Sequence, residues 1–244
     1  MNSNIQISNS QLVFAFQRNI SIRKKVFEYE DSLKDYFKVP FRTIAIPDES
    51  EPSIPRFESL SKQEHSKLQV SQNRITLLTQ YDEKFRLDLA EVRNYLNERF
   101  TLLKNIAQKE NLQFIAYIIE LGSDLKKEEL NQFIKENTGA YAVTGECRDF
   151  QLLYSRKYKD DYYLNIRNSK FTEDEFKLDK QNNILKPTGN KRYGVSVVVD
   201  INSRPYFEKN GKVDDTVFKN IENYTFNLID NLTIKDYLKG NINV

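Results

Sequence analysis

The sequence predicts an α+β protein: antiparallel sheet with helices packed on one face, built from duplicated strand-helix-strands-helix modules. Three observations carry this expectation. Apolar residues recur every three or four positions over Lys84–Gln108 and again from Asp214 towards Leu238, the period of a helix with one buried face. Leu112–Leu121 (LQFIAYIIEL) and Tyr193–Ile201 (YGVSVVVDI) are apolar or β-branched runs of strand length, as expected for core strands. The order of elements repeats with a join near Asn111, which divides the chain into modules 1–110 and 111–244 or leaves it one continuous domain.

Element by element, Leu12–Phe16 reads as the opening strand. Ser21 is placed to cap a helix whose apolar positions are Ile22, Val26, Tyr29, Leu33 and Phe37, with Pro40 ending it. Phe41–Ile46 reads as a strand, and Pro47–Pro55, with three of the six prolines, as an acidic loop. Arg56–Leu60 is a further strand, and Lys67–Val70 with Arg74–Gln80 a hairpin. The long helix follows, its stripe running through Phe85, Leu89, Val92, Leu96, Phe100, Leu103 and Ile106. After the strand 112–121, Asp124 is placed to cap a short helix through Leu125, Leu130, Phe133 and Ile134, closed by Gly139. Tyr141–Tyr158 and Tyr162–Phe171 are strand-rich around a turn at Lys159-Asp160-Asp161, and Asp179–Arg192 reads as a polar loop. Beyond the Asn210-Gly211 turn, Asp214 or Asp215 caps a last helix carrying Val217, Ile221, Tyr224, Leu228 and Leu232.

Composition narrows the chemistry. The 244 residues hold 37 Lys and Arg against 35 Asp and Glu, a net charge of +2, too balanced for a dedicated nucleic-acid coat or polybasic membrane binder. With one cysteine, an internal disulfide is impossible and a cysteine zinc site has no partners for Cys147; a small thiol on a strand is the plain expectation. The one histidine, His65, lies in the polar stretch Ser61–Lys67 and reads as a solvated turn residue. No run approaches the roughly 20 apolar residues of a membrane helix, and the burst Leu12–Phe16 is too short for a secretion signal. A reducing, cytoplasmic location is therefore expected, in which the sequons at Asn19, Asn223 and Asn231 carry no glycan. The seven glycines are scattered, and neither phosphate-cradling loop motif occurs.

A group of short strings then stands out: Pro55-Arg56-Phe57, Lys67-Leu68-Gln69-Val70-Ser71-Gln72-Asn73-Arg74-Ile75, Tyr81 and Phe85 entering the long helix, and Val197-Val198-Val199-Asp200 before the last one. Together with Leu12–Phe16 as opening strand, they resemble an uncharacterised prokaryotic family of about this length, known as sporadically distributed and without assigned activity. The resemblance implies an accessory role, in defence or on mobile elements, and brings no catalytic residues.

Two constellations carry candidate chemistry. Tyr154, Arg156 and Tyr158 alternate along one strand, and Tyr163, Arg167 and Lys170 lie on its return; rings beside cations are what single-strand nucleic-acid binders display on open sheets. An amphipathic hairpin with ordinary surface tyrosines and basic stems is the alternative, favoured by the diluting Asp149, Asp160 and Asp161. Glu175-Phe176-Lys177, with Asp160 or Asp161 upstream, has the residue types of a metal-dependent hydrolase, though its surroundings read as a turn. The acidic proline loop is a candidate partner strip or, more simply, a solvated connection. The expectation is thus a non-enzymatic binding or interaction module without cofactor or resident metal. A protein partner is favoured over nucleic acid, with no membrane contact and no oligomeric state specified.

Overall fold

The computed structural model describes residues 6–82, 84–138, 149–179 and 182–230. Within them the fold is one nine-stranded antiparallel sheet carrying five α-helices. The strands are β1 (Gln6–Phe16), β2 (Arg42–Thr43), β3 (Pro55–Leu60), β4 (Ser66–Ser71), β5 (Arg74–Gln80), β6 (Leu112–Leu125), β7 (Gln151–Tyr158), β8 (Tyr162–Asp179) and β9 (Ile184–Asn202). The helices are α1 (Val26–Leu33), α2 (Leu89–Ala107), α3 (Lys127–Thr138), α4 (Arg204–Asn210) and α5 (Asp215–Asp230).

Strands run in the order β2-β3-β4-β5-β1-β6-β9-β8-β7. The first strands of the two expected modules, β1 and β6, pair with each other from Gln6↔Gly122 to Phe16↔Leu112, so the sheet crosses residue 111 without a break. One row shows how the side chains divide. Leu68, Leu77, Leu12, Tyr117, Ile201 and Leu164 sit opposite one another on six adjoining strands, and all are buried. Partners directly opposite in a ladder share a face, so this row marks one side of the sheet. Helices stand on that side: Phe14 of β1 packs 5.5 Å from Phe100 of α2 and 6.4 Å from Phe218 of α5. Tyr117 meets Phe226 of α5, and Phe57 of β3 meets Tyr29 of α1. Of the stripe expected from spacing, Val92, Leu96, Phe100, Leu103 and Ile106 are buried, each such side chain being worth about 1.5–3 kcal/mol of burial, whereas Leu89 at the start of α2 is exposed and Phe85 precedes the helix in a 3-10 turn.

Several local expectations need correction. Arg74–Gln80 and its partner form the hairpin as anticipated, but of Phe41–Ile46 only Arg42–Thr43 joins the sheet. The helix after β1 starts as a 3-10 turn at Ile22–Lys25 without a side-chain cap from Ser21; Asn19 Oδ1 instead accepts from Ser21 N at 3.0 Å. Asp124 caps nothing, because β6 runs on through Leu125 and the carboxylate pairs with Arg192 at 2.7 Å; Glu129 accepts from Lys126 N in its place. The polar stretch expected as a loop is strand over most of its described length. β9 begins at Ile184 and pairs with β8 as far as Asp179, forming a two-stranded arm whose last ladder partner from the rest of the sheet is Leu125, opposite Tyr193. One face of the arm sets Phe176 opposite Pro187 and Leu178 opposite Leu185. α4 is too short to have shown a period, and Gly211 closes it at φ 70°, a left-handed turn that suits glycine. Asp214 does cap α5, its Oδ1 accepting from Thr216 N and Val217 N. Gly139, Cys147, residues 141–148, Leu232 and the stretch to Leu238 lie outside the described residues.

The acidic proline loop is folded round a cation. Arg56 is fully buried, and its guanidinium donates to the carbonyls of Ile54 (2.7 Å) and Ser50 (3.0 Å). Arg23 donates to the carbonyls of Ile44 and Ile46 and to the Asp48 carboxylate. The carbonyl oxygens that a proline-rich segment cannot pair in a ladder are thereby satisfied from inside.

Candidate functional site

Because the helices α1, α2 and α5 stand on one side, the register assigns every alternate strand residue to the other. Its central row runs Lys67, Leu78, Gln11, Ile118, Asp200 and Asn165. A neighbouring row holds Gln80, Asn9, Glu120, Val198, Arg167 and Leu153. Most of these residues are half-buried or exposed, whereas their neighbours in sequence, such as Leu77, Ile119 and Val197, are buried. Over these two rows the face is open and hollowed, whereas the next row, at Thr76, Val13 and Ala116, is buried: a depression of about 460 Å³ lies over Gln11, Leu78, Ile118, Glu120, Arg167 and Val198, within the range of ligand-binding cavities.

The floor is apolar at Leu78, Ile118 and Val198 and polar around them. Glu120 is held in place by Asn9 Nδ2 (2.7 Å) and Ser196 Oγ (2.5 Å). Asp200 accepts from Asn165 Nδ2 at 2.8 Å and from Asn202 Nδ2 at 3.5 Å. Burial raises the Asp200 pKa above its ordinary value despite those two donors, the direction expected when desolvation outweighs hydrogen bonding. Basic groups stand to either side, Lys67 towards β3 and Arg167 on β8. The face therefore sets carboxylates, cations and amides in and around an apolar floor.

The residues anticipated as a nucleic-acid surface are divided between the two faces of the sheet. Tyr154, Arg156 and Tyr158 lie opposite Ile166, Leu164 and Tyr162, and so face the helices; Tyr158 packs edge-on against Tyr224 of α5 at 5.4 Å. Lys170, opposite the buried Val195, shares that side. Arg167 points the other way, with Tyr163 and Lys157. Alternation correctly grouped the three β7 residues, but they lie on the helix side, where Tyr158 is buried and Tyr154 and Arg156 are half-buried.

Asp160 and Glu175 are no closer to a metal centre. Asp160 sits in the turn before β8 and Glu175 far along the same strand, about 40 Å away at the usual rise per residue. Asp161 is engaged by Lys209 at 3.1 Å, and Glu175 accepts from Asn190 and Thr188. Among the described residues no group of three or more His, Cys, Asp or Glu side chains is placed to hold a metal ion.

His65 differs from its expected solvated turn. It is half-buried, its ring 5.1 Å from that of Tyr95 on α2, and it borders the depression. The polar composition of Ser61–Lys67 concealed this, since the burying ring comes from a helix thirty positions later. Among the described residues no helix is long and apolar enough to cross a membrane. Neither a protein-family model nor a curated protein matches the chain.

Proposed function

We propose that the chain is a non-enzymatic, cytoplasmic interaction module that holds a segment of a protein partner on the uncovered face of its sheet. The observation that carries this reading is the depression over Leu78, Ile118 and Val198, walled by charges of both signs. A polypeptide supplies apolar side chains for such a floor, amides for Gln11 and Asn165, and charges for Lys67 and Glu120. A phosphate backbone would have to run past Glu120 and Asp200, so nucleic acid at Arg167 and Tyr163 is the weaker reading. The same proposal takes the two halves as duplicated modules, supported by β1 and β6 lying side by side with the meanders β2–β5 and β7–β9 on their outer flanks. An accessory role in bacterial defence or mobile elements belongs to this proposal too, resting on the resemblance of the strings around Arg56 and Leu68.

The test is co-purification with the wild-type chain, the double variant Ile118→Lys with Val198→Lys, and Glu98→Lys on the exposed side of α2. A stoichiometric protein retained by wild type and Glu98→Lys but lost from the double variant is the expected result. Equal retention by the double variant would remove the sheet face from the account. Recovery of nucleic acid in place of a protein would overturn the choice of partner.

A further inference from the structure

A second cavity, of about 400 Å³, shares His65 and Gln80 with the first and is otherwise lined by different residues, among them Arg99, Tyr95, Phe85 and Asp82. Its unusual member is Arg99 of α2, only 7% exposed. The guanidinium carbon lies 4.5 Å from the centre of the Tyr36 ring and 4.7 Å from that of Tyr95. Its Nε and Nη1 are buried without a hydrogen-bond partner. The nearby carboxylate of Glu98 stands 3.8 Å from Nη1, beyond hydrogen-bond reach, and is itself largely exposed. A guanidinium removed from water is normally met by a carboxylate or by carbonyl oxygens, as Arg56 is in the same molecule. Two stacked rings compensate the charge only in part.

The other groups leave an anion's place open. The Tyr81 hydroxyl is bound to Ser10 Oγ at 2.8 Å and that of Tyr95 to Ser66 Oγ, so these residues give the cavity ring faces rather than donors. Asp82 Oδ1 accepts from Phe85 N at 2.7 Å. His65 is biased to its neutral form by burial and by the charge of Arg99, which leaves a flat ring able to stack. We propose that this cavity is a binding site for a small organic anion, a carboxylate or phosphate monoester carried on a flat ring. The oxyanion pairs with Arg99, and the ring packs among His65, Tyr95 and Phe85. The site adjoins the sheet-face depression through His65 and Gln80 but is otherwise lined by its own residues, and its occupancy does not depend on a protein partner.

His65 is the one histidine of the chain, so its imidazole Cε1 proton is a single resolvable NMR signal in the unlabelled full chain. Benzoate, a nucleoside monophosphate, inorganic phosphate and the neutral benzyl alcohol are titrated in turn. Benzoate, the nucleoside monophosphate or both should move the signal saturably, and benzyl alcohol should not; which of the two anions binds identifies the carboxylate or the phosphate source. Arg99→Gln should weaken that binding at least tenfold. Phe85→Ala, at a half-buried position that leaves the α2 core stripe intact, should weaken the ring-bearing anion more than inorganic phosphate, which keeps the proposal testable if Arg99→Gln does not fold. The proposal is overturned if no ring-bearing anion gives a saturable shift, if benzyl alcohol binds as well as benzoate, or if the folded Arg99→Gln chain binds as tightly as wild type.

Discussion

Leu77 and Leu78 are the same residue, one position apart in β5, on opposite faces of the sheet. Leu77 is 1% exposed between Leu12 and Leu68 beneath the helices, and Leu78 is 37% exposed between Gln11 and Lys67. Substituting either by alanine changes intrinsic strand preference equally, so that contribution cancels in the comparison. Leu77→Ala removes three carbons from a closed interior and leaves a void, a change that costs about 2–5 kcal/mol. Leu78→Ala removes the same atoms from an open floor that water refills. With over a third of the side chain already exposed, the loss should be about 1 kcal/mol. The expected gap is thus about 2 kcal/mol, roughly a thirtyfold difference in the unfolding equilibrium. Urea unfolding of both variants, with the m-value unchanged, measures it. Equal losses, or a larger loss at Leu78, would refute the assignment of covered and uncovered faces.

Other consequences follow from particular groups. The folded pKa of Asp200 lies above its unfolded value, so its ionised form opposes folding above that pH, and the opposition fades as pH falls through the raised value. Asp200→Asn should therefore be at least as stable as wild type at neutral pH, with the difference shrinking in acid; a pH-independent difference in urea midpoint would contradict this. Gly194 faces Phe171, and a Cβ there would run into that ring and the Ser123 carbonyl. Gly194→Ala should cost about 1–3 kcal/mol, read as a lowered melting temperature. Arg56→Met strips the donors from the carbonyls of Ile54 and Ser50 and should cost about 2 kcal/mol, with faster proteolytic cleavage between Pro47 and Pro55; an unchanged cleavage rate would show that the loop holds itself.

What sequence could reveal here depended on how much contrast a stretch carried. The α2 stripe at Val92, Leu96, Phe100 and Leu103 was readable because apolar positions recur among charges of both signs, and β6 and β9 because their central runs are continuous. The arm beyond Tyr193 was not. Its apolar pairs Phe176/Pro187 and Leu178/Leu185 are interleaved with charges, and each strand's partner is the other strand rather than a core. Period two placed Tyr154, Arg156 and Tyr158 together, but no local pattern says which face of a strand the helices will cover. The same limit hid the site: Gln11, Leu78, Ile118 and Val198 come from four separate strands and meet only through register. Arg99 was hidden inside the stripe of a well-read helix, where a long basic residue looks like an ordinary solvated one.

Hydroxyl-radical footprinting of the chain, alone and with its captured partner, tests the central claim most directly. Leu78, Ile118 and Val198 should be modified in the free chain and protected in the complex, while the buried Leu77, Ile119 and Val197 stay unreactive throughout. Modification of Ile119 and Val197 in the free chain, or unchanged reactivity of Ile118 and Val198 in the complex, would contradict it.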